Sequence, residues 1–344
     1  MNGSFRTRRR FVQMAAVAGT GAALGTKTPT AFGAETAALR VVTHPGLTAL
    51  PLIVMRERGL IEKYASARGI GDLKVTWSTI ASGGAISDAL LSGSADVVTN
   101  GISNIVLLWS RTNGAVKALA GVAGLPQQLL TRNPNVRRVG DFGPTDRIAV
   151  PTVRVSLQAM ILGMALEQTF GPGAHGRLDD IQVQMGHPEA TLALLNPFHE
   201  VNSHFSTLPF SAIAMKQSPS VHVVVDAAEV LDGPATANSS AVLQKFADAN
   251  PVMIAAYLDA LDEAATIVAN DPRTAAQIYL AATKENITSD ELASLVAMPG
   301  AIFATTPVNT MKYVDYMHRI GIIKNKPPGW RDYFLPILHG RAGS

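Results

Sequence analysis

Three stretches place hydroxyl, amide and glycine residues where a β-rich run gives way to a helical one. Ser82-Gly83-Gly84 follows the run ending at Thr79, Asn100-Gly101-Ile102-Ser103 follows the run ending at Thr99, and Thr152-Val153-Arg154-Val155-Ser156 precedes a long helical stretch. In open α/β sheets ligands sit outside the carboxyl ends of strands. Helices start there, with free N–H groups and the positive end of the peptide dipole, a setting suited to anions. Gly83 and Gly84 let the backbone come close, Ser82, Ser103 and Ser156 offer hydroxyls, and Asn100 offers both a donor and an acceptor. Arg154 would clamp a carboxylate or sulfonate with two parallel N–H bonds. The alternative stands beside each: a serine or asparagine that only caps its helix, and an arginine that is only solvated.

Histidines add a second set. His44 ends the first β-rich run just before the Pro45-Gly46 turn, and His187 opens a helical stretch at Gly186-His187-Pro188-Glu189, where Glu189 reads as a first-turn helix acid. Either histidine serves as a cleft hydrogen-bonding group or as a structural one. Ser206, Thr207 and Pro209 are placed after a strand, where they would line a cleft. Trp77, Trp109 and Phe205 would stack on a ring or pack in the core. Catalytic constellations are missing from the sequence: no His-x-x-x-His or His-x-His spacing for zinc, no P-loop, no Gly-x-Ser-x-Gly elbow. The expectation is a binding protein and not an enzyme, with no metal and no cofactor.

These groups need a frame, and the periodicity predicts one. Strand-like runs at 39–44, 73–79, 95–99, 116–123, 128–131, 147–150, 181–185, 200–204 and 221–226 alternate with helical runs at 50–67, 84–92, 103–110, 156–169 and 188–195. Gly59 interrupts the first helical run, so two short helices are expected. Alternation of this kind predicts an α/β protein with mostly parallel strands. After Ala237 the chain reads as helical: Ser239–Ala269, broken near Asn250-Pro251, then 272–282, 289–297 and 309–320. The passage Ala89-Leu90-Leu91-Ser92-Gly93-Ser94-Ala95-Asp96 is echoed at Ala193-Leu194-Leu195-Asn196 with Glu200-Val201-Asn202, as two lobes built alike would show.

The 344 residues suffice for two medium lobes with a large apolar core, and 47% hydrophobic against 16% charged residues excludes a disordered chain. The absence of cysteine excludes disulfides, thiolate metal sites and a cysteine nucleophile. The net charge of +3 comes from residues 1–34, which hold Arg6, Arg8, Arg9, Arg10 and Lys27 and no acid. Without them the chain has slightly more acids than bases, which excludes a basic nucleic-acid footprint. Residues 1–34 have the order of a secretory signal: a basic start, a short apolar stretch, then small residues around Ala31-Phe32-Gly33-Ala34. Thr7-Arg8-Arg9-Arg10-Phe11-Val12-Gln13 resembles the twin-arginine export motif, so export to the periplasm is expected.

The mature segment resembles the solute-binding proteins of the nitrate, sulfonate and taurine class of ABC importers, which includes binders of thiamine-pyrimidine precursors. The residues that carry the resemblance run in order along the chain. Ser82-Gly83-Gly84 through Ala89–Asp96 is similar to a helix-to-strand segment of the first lobe. Ala149-Val150-Pro151 through Ser156 is similar to the opening of the second. Ala237–Leu243 with Phe246, Asn250 and Pro251 is similar to the return, and Gly321–Lys324 with Pro327–Phe334 to the C-terminal segment. Asn202 stands where the second lobe of the family usually carries an aspartate, and Pro197-Phe198-His199 replaces a tight glycine turn. The resemblance implies a type II periplasmic binding fold with two crossing hinge strands. Lobe I would be 39–124 and 223–344, and lobe II 125–222. A small anionic or polar ligand (sulfonate, nitrate, carboxylate or pyrimidine-like) would bind between lobes that close by a hinge. It implies an ABC permease and its ATPase as partners, with the protein a monomer. An exported enzyme acting on a small heterocycle, or a ligand-sensing module for a membrane receptor, are the alternatives on the same scaffold.

Overall fold

The computed structural model describes residues 37–344, which form one compact unit. The expected export signal at 1–34 lies outside the described residues.

Two five-stranded sheets organise the chain. The first holds β1 (Ala38–Thr43), β2 (Lys74–Thr79), β3 (Val97–Gly101), β4 (Val116–Ala123) and β10 (Asn238–Leu243), in the order β2-β1-β3-β10-β4. The second holds β5 (Gln127–Thr131), β6 (Ile148–Val150), β7 (Gln182–Gln184), β8 (Ser203–Thr207) and β9 (His222–Asp226), in the order β7-β6-β8-β5-β9. The two orders are the same pattern, with β6, β7 and β8 standing as β1, β2 and β3, and β5 and β9 as β10 and β4. The sequence echo falls on equivalent places: the passage into β3 from α3 (Gly83–Leu91), and into β8 from α6 (His187–Leu195).

Each sheet pairs its first three strands in parallel, while β10 runs antiparallel to both β3 and β4, and β5 antiparallel to both β8 and β9. As expected, the strands are mostly parallel: four of the five in each sheet run the same way, and the one reversed strand is β10 in the first and β5 in the second. The cause of the reversal is that each sheet takes in one strand where the chain crosses between lobes.

That crossing corrects the helical reading from Ser239. Asn238-Ser239-Ser240-Ala241-Val242-Leu243 is strand β10, buried between β3 and β4. Small residues let it sit at the centre of the sheet, and Ser240 Oγ lies 3.0 Å from Thr99 Oγ1 and 2.8 Å from Tyr257 Oη. Tertiary pairing overrides the local helical pattern here. The helices begin only at α9 (Gln244–Ala249) and, after Asn250, α10 (Pro251–Asn270). The expected lobe boundary at 222/223 falls inside β9, which pairs with β5 in the second sheet, so the return comes later. It follows α8 (Ala227–Leu231) and brings Ala235 against the outgoing segment at Gly124, where a Cβ would overlap the Ala235 carbonyl.

The remaining helices cover the sheets. α1 (Leu50–Glu57) and α2 (Leu60–Ala67) are separated at Gly59, whose φ of 58° is the left-handed turn that ends one helix and starts the next. α4 (Ile102–Arg111) follows β3, α5 (Leu157–Phe170) follows β6, and α7 (Phe210–Gln217), which the periodicity did not reveal, follows β8. α11 (Pro272–Thr283), α12 (Ser289–Val296) and α13 (Met311–Arg319) complete the C-terminal part. The C-terminal segment docks on the edge of β4, where Ala118 N–H donates to Tyr333 O and Leu335 N–H to Ala118 O, both at 2.8 Å. Tyr257, Tyr279, Tyr313, Tyr333, Phe205 and Phe334 are fully buried and anchor the core. Among the described residues no helix is long and apolar enough to cross a membrane.

Candidate functional site

The carboxyl ends of β1, β3 and β8 and the N-termini of α3, α5 and α6 converge on one cavity of about 50 Å³ between the two sheets. Of the residues singled out in the sequence, His44, Gly83, Asn100, Ser156, His187 and Thr207 line it. So do Thr48, Asn104, Gln127, Gln158 and Asn238, which sequence reasoning missed. Asn104 stands in the first turn of α4 just after Asn100, and Gln158 in the first turn of α5 just after its Ser156 cap, so their place at helix starts held a signal for both. Gln127 and Asn238 open the two strands next to the crossings, and only the topology brings them here.

The lobes touch around this cavity. Leu47 N–H donates to Leu208 O at 2.9 Å, and Gln184 Nε2 donates to Ser82 Oγ at 3.3 Å. Lys216 on α7 pairs with Glu291 on α12 at 2.6 Å, and Arg319 on α13 with Glu167 on α5 at 2.5 Å. Burial pushes the Glu167 carboxyl up, but Arg319 and the Gly173 N–H outweigh it and hold it below the usual carboxylate range.

Four expected site residues lie elsewhere. Ser82 caps α3, its Oγ accepting from Ala85 N–H, and reaches the other lobe through Gln184. Gly84 lies beyond it on α3, and Ser103 is buried under the start of α4. Neither lines the cavity. Arg154 is exposed and its Nε donates to Asp179 at 2.8 Å, so the expected acid clamp is corrected to a surface ion pair. Asn100 does line the cavity, but its amide is engaged within its own lobe. Nδ2 donates to Gly83 O at 2.8 Å, and Oδ1 accepts from Gly101 N–H at 2.8 Å and Asn104 Nδ2 at 3.2 Å. Asn100 therefore shapes the wall by tying α3 to α4.

The aromatic expectation also changes. Trp109 packs edge-on against Tyr333 with ring centroids 6.5 Å apart, Phe205 is core, and Trp77 packs from the edge of the first sheet. None of them lines the cavity. The strand expected near 200–204 is shifted to Ser203–Thr207, since Pro197–Asn202 forms the connection. Thr207 thus ends β8 at the cavity, with Ser206 beside it in the strand. Asn202 precedes β8 at the far end, where its Nδ2 donates to Asp146 Oδ1 at 2.7 Å.

Three histidines from distant parts of the sequence meet at the site. His187 Nδ1 lies 2.9 Å from His204 Nε2, and His187 stacks on Phe210 with centroids 6.0 Å apart. Burial pushes His187 down to about 3, aided by the neighbouring His44, and holds His204 well below the usual imidazole range, aided by His187. Burial likewise lowers His44, with the Pro45 carbonyl opposing. No carboxylate is among the causes, so all three rings are neutral near pH 7. His204 was not foreseen, since it sits within a buried strand with no local signal.

Several buried polar atoms at the site have no partner in the protein. They include His44 Nε2, Gln127 Oε1 and Thr207 Oγ1, on residues of which Gln127 is 3% and Thr207 4% exposed. Buried polar groups are ordinarily hydrogen-bonded, so orphans that converge on a cavity mark a place for a polar ligand. Among the described residues no group of three or more His, Cys, Asp or Glu is arranged to hold a metal ion.

No protein-family model and no curated protein matches this sequence. Solved structures do match in fold. The alkanesulfonate-binding protein of Xanthomonas axonopodis pv. citri, solved bound to MOPS, superposes with a TM-score of 0.68 at 16% identity, covering 85% of this chain and 96% of that one. The periplasmic aliphatic sulphonate-binding protein of Escherichia coli gives 0.64 at 17% identity, covering 89% and 100%. The periplasmic nitrate-binding protein of Synechocystis PCC 6803 gives 0.62 at 16% identity, covering 87% and 84%. The chain has the two-lobed type II periplasmic binding fold.

Proposed function

We propose that the protein is an exported solute-binding protein of an ABC importer and not an enzyme. In this reading it captures one small polar molecule between its lobes and presents the closed form to a membrane permease driven by a separate ATPase. The observation that carries it is the cavity: both lobes line it, and unpartnered buried polar atoms from both face it. A ligand that satisfies His44 on the first lobe and Thr207 and Gln127 on the second is fully held only when the lobes are together, so it favours the closed state. The structural neighbours named for sulfonate and nitrate binding support this assignment of role. Export is supported by the basic, then apolar, then small-residue order of residues 1–34.

A thermal-shift screen tests the proposal. The protein is unfolded and refolded to remove carried ligand, then scanned with nitrate, alkyl sulfonates, carboxylates, aminopyrimidines and small amides. A ligand at 100 times its Kd stabilises by about 2.7 kcal/mol. A hit recovered chemically unchanged supports a receptor. A hit converted to product contradicts it and favours an enzyme.

A further inference from the structure

The chemistry of the cavity narrows the ligand beyond a small polar molecule. Its lining includes no arginine, lysine, aspartate or glutamate. The charged side chains nearby on the flanking elements point elsewhere: Arg154 is held by Asp179, and Glu189 on α6 is exposed.

Tautomers follow from the hydrogen bonds. His44 Nδ1 is 3.1 Å from Pro45 O, a carbonyl that can only accept, so the proton of the neutral ring is on Nδ1 and the buried Nε2 presents a bare lone pair. His204 Nδ1 is buried without a partner. An N–H stranded there is costlier than a lone pair, so the His204 proton sits on Nε2 and is donated to His187 Nδ1. The His187 proton then sits on Nε2, where the Gln158 side chain, 3.4 Å away, takes it with its amide oxygen. The first two N–H groups of α5, on Leu157 and Gln158, have no acceptor within their helix. The site thus offers an acceptor at His44 and donors at the start of α5, with no net charge on its walls.

We infer that the ligand is a small uncharged molecule of amide or urea type, whose N–H donates to His44 and whose carbonyl oxygen accepts from the N-terminus of α5. This rests on the solute-binding reading of the same cavity. Nitrate is the informative contrast, being as small and flat as urea but anionic and without a donor. It would leave His44 Nε2 facing an oxygen unless the ring took up a proton.

Titration calorimetry on the refolded full chain, with acetamide, urea, nitrate and methanesulfonate in two buffers of different ionisation enthalpy, separates the cases. The expected result is binding of acetamide or urea at least tenfold tighter than nitrate, with heats independent of buffer. His44→Leu should weaken amide binding at least tenfold, while His44→Gln, which keeps an acceptor, retains most of it. Circular dichroism confirms that both variants are folded. Tighter binding of nitrate or methanesulfonate, with about one proton taken up, would overturn the uncharged-ligand inference and leave the receptor reading standing. No heat with either amide probe overturns the inference as well. The receptor reading is judged separately by the wider thermal-shift screen.

Discussion

Gly186 is where closure can be tested without touching either lobe's own packing. It precedes α6 in the second lobe with φ −68°, a conformation open to any residue. A Cβ built there would lie 2.7 Å from the Ala81 Cβ of the first lobe, and its next two neighbours are also Ala81 atoms. Ordinary contact begins at 3.4 Å, so Gly186→Ala wedges the lobes apart at one point. Overpacking of this kind costs about 1–3 kcal/mol. Here the cost falls on the closed state alone, so affinity for the stabilising probe should fall by about 5- to 150-fold. Ala81→Gly removes the opposing methyl, and the double variant should recover most of the loss. Calorimetric titration of the four proteins gives the interaction energy between the two positions. If Gly186→Ala binds as tightly as the wild type, the bound lobes do not meet in this geometry and the reasoning fails.

Other outcomes follow from the same structure. Arg154→Ala should leave affinity unchanged, because the guanidinium is on Asp179 and away from the cavity; a loss of more than about 1.5 kcal/mol, the lower end for hydrogen bonds to charged groups, would return Arg154 to the site. His187, with its pKa lowered from 6.5 to about 3, contributes stability that is complete above pH 6.5 and is lost as pH falls toward 3, since the unfolded chain takes up the proton first. Guanidinium chloride unfolding at pH 7 and pH 5 should therefore differ by about 2 kcal/mol from this ring alone, and His187→Gln should reduce the difference. Gly124→Ala should destabilise the protein by about 3 kcal/mol or more in thermal unfolding, because backbone atoms of Ala235 fill the space its methyl needs. Lys216→Gln should weaken ligand binding only slightly, with the difference vanishing in high salt, because the pair with Glu291 is exposed.

The parts of this fold that depend on local pattern were readable from the sequence, and those that depend on where the chain returns were not. The helix break at Gly59, strand β4 and the restart at Pro251 are written in nearest-neighbour chemistry: a left-handed glycine, a β-rich run, a proline at a helix start. Strand β10 has no such signature, because its serines and alanine are suited to the crowded centre of a sheet formed by segments more than a hundred residues away. The site divides along the same line. Gly83, Ser156 and His187 reach the cavity because they begin helices at strand ends, a position that spacing predicts. Gln127 and Asn238 reach it through strand pairing, His204 lies behind it against His187, and Arg154 leaves it because Asp179, in another loop, captures its side chain.

The central claim, capture of a small molecule between closing lobes, is tested most directly by small-angle X-ray scattering of the ligand-stripped protein with and without the probe that stabilises it. The account predicts a smaller radius of gyration with probe, approaching that calculated for the lobes in contact as seen here. An unchanged scattering curve at saturating probe would contradict it.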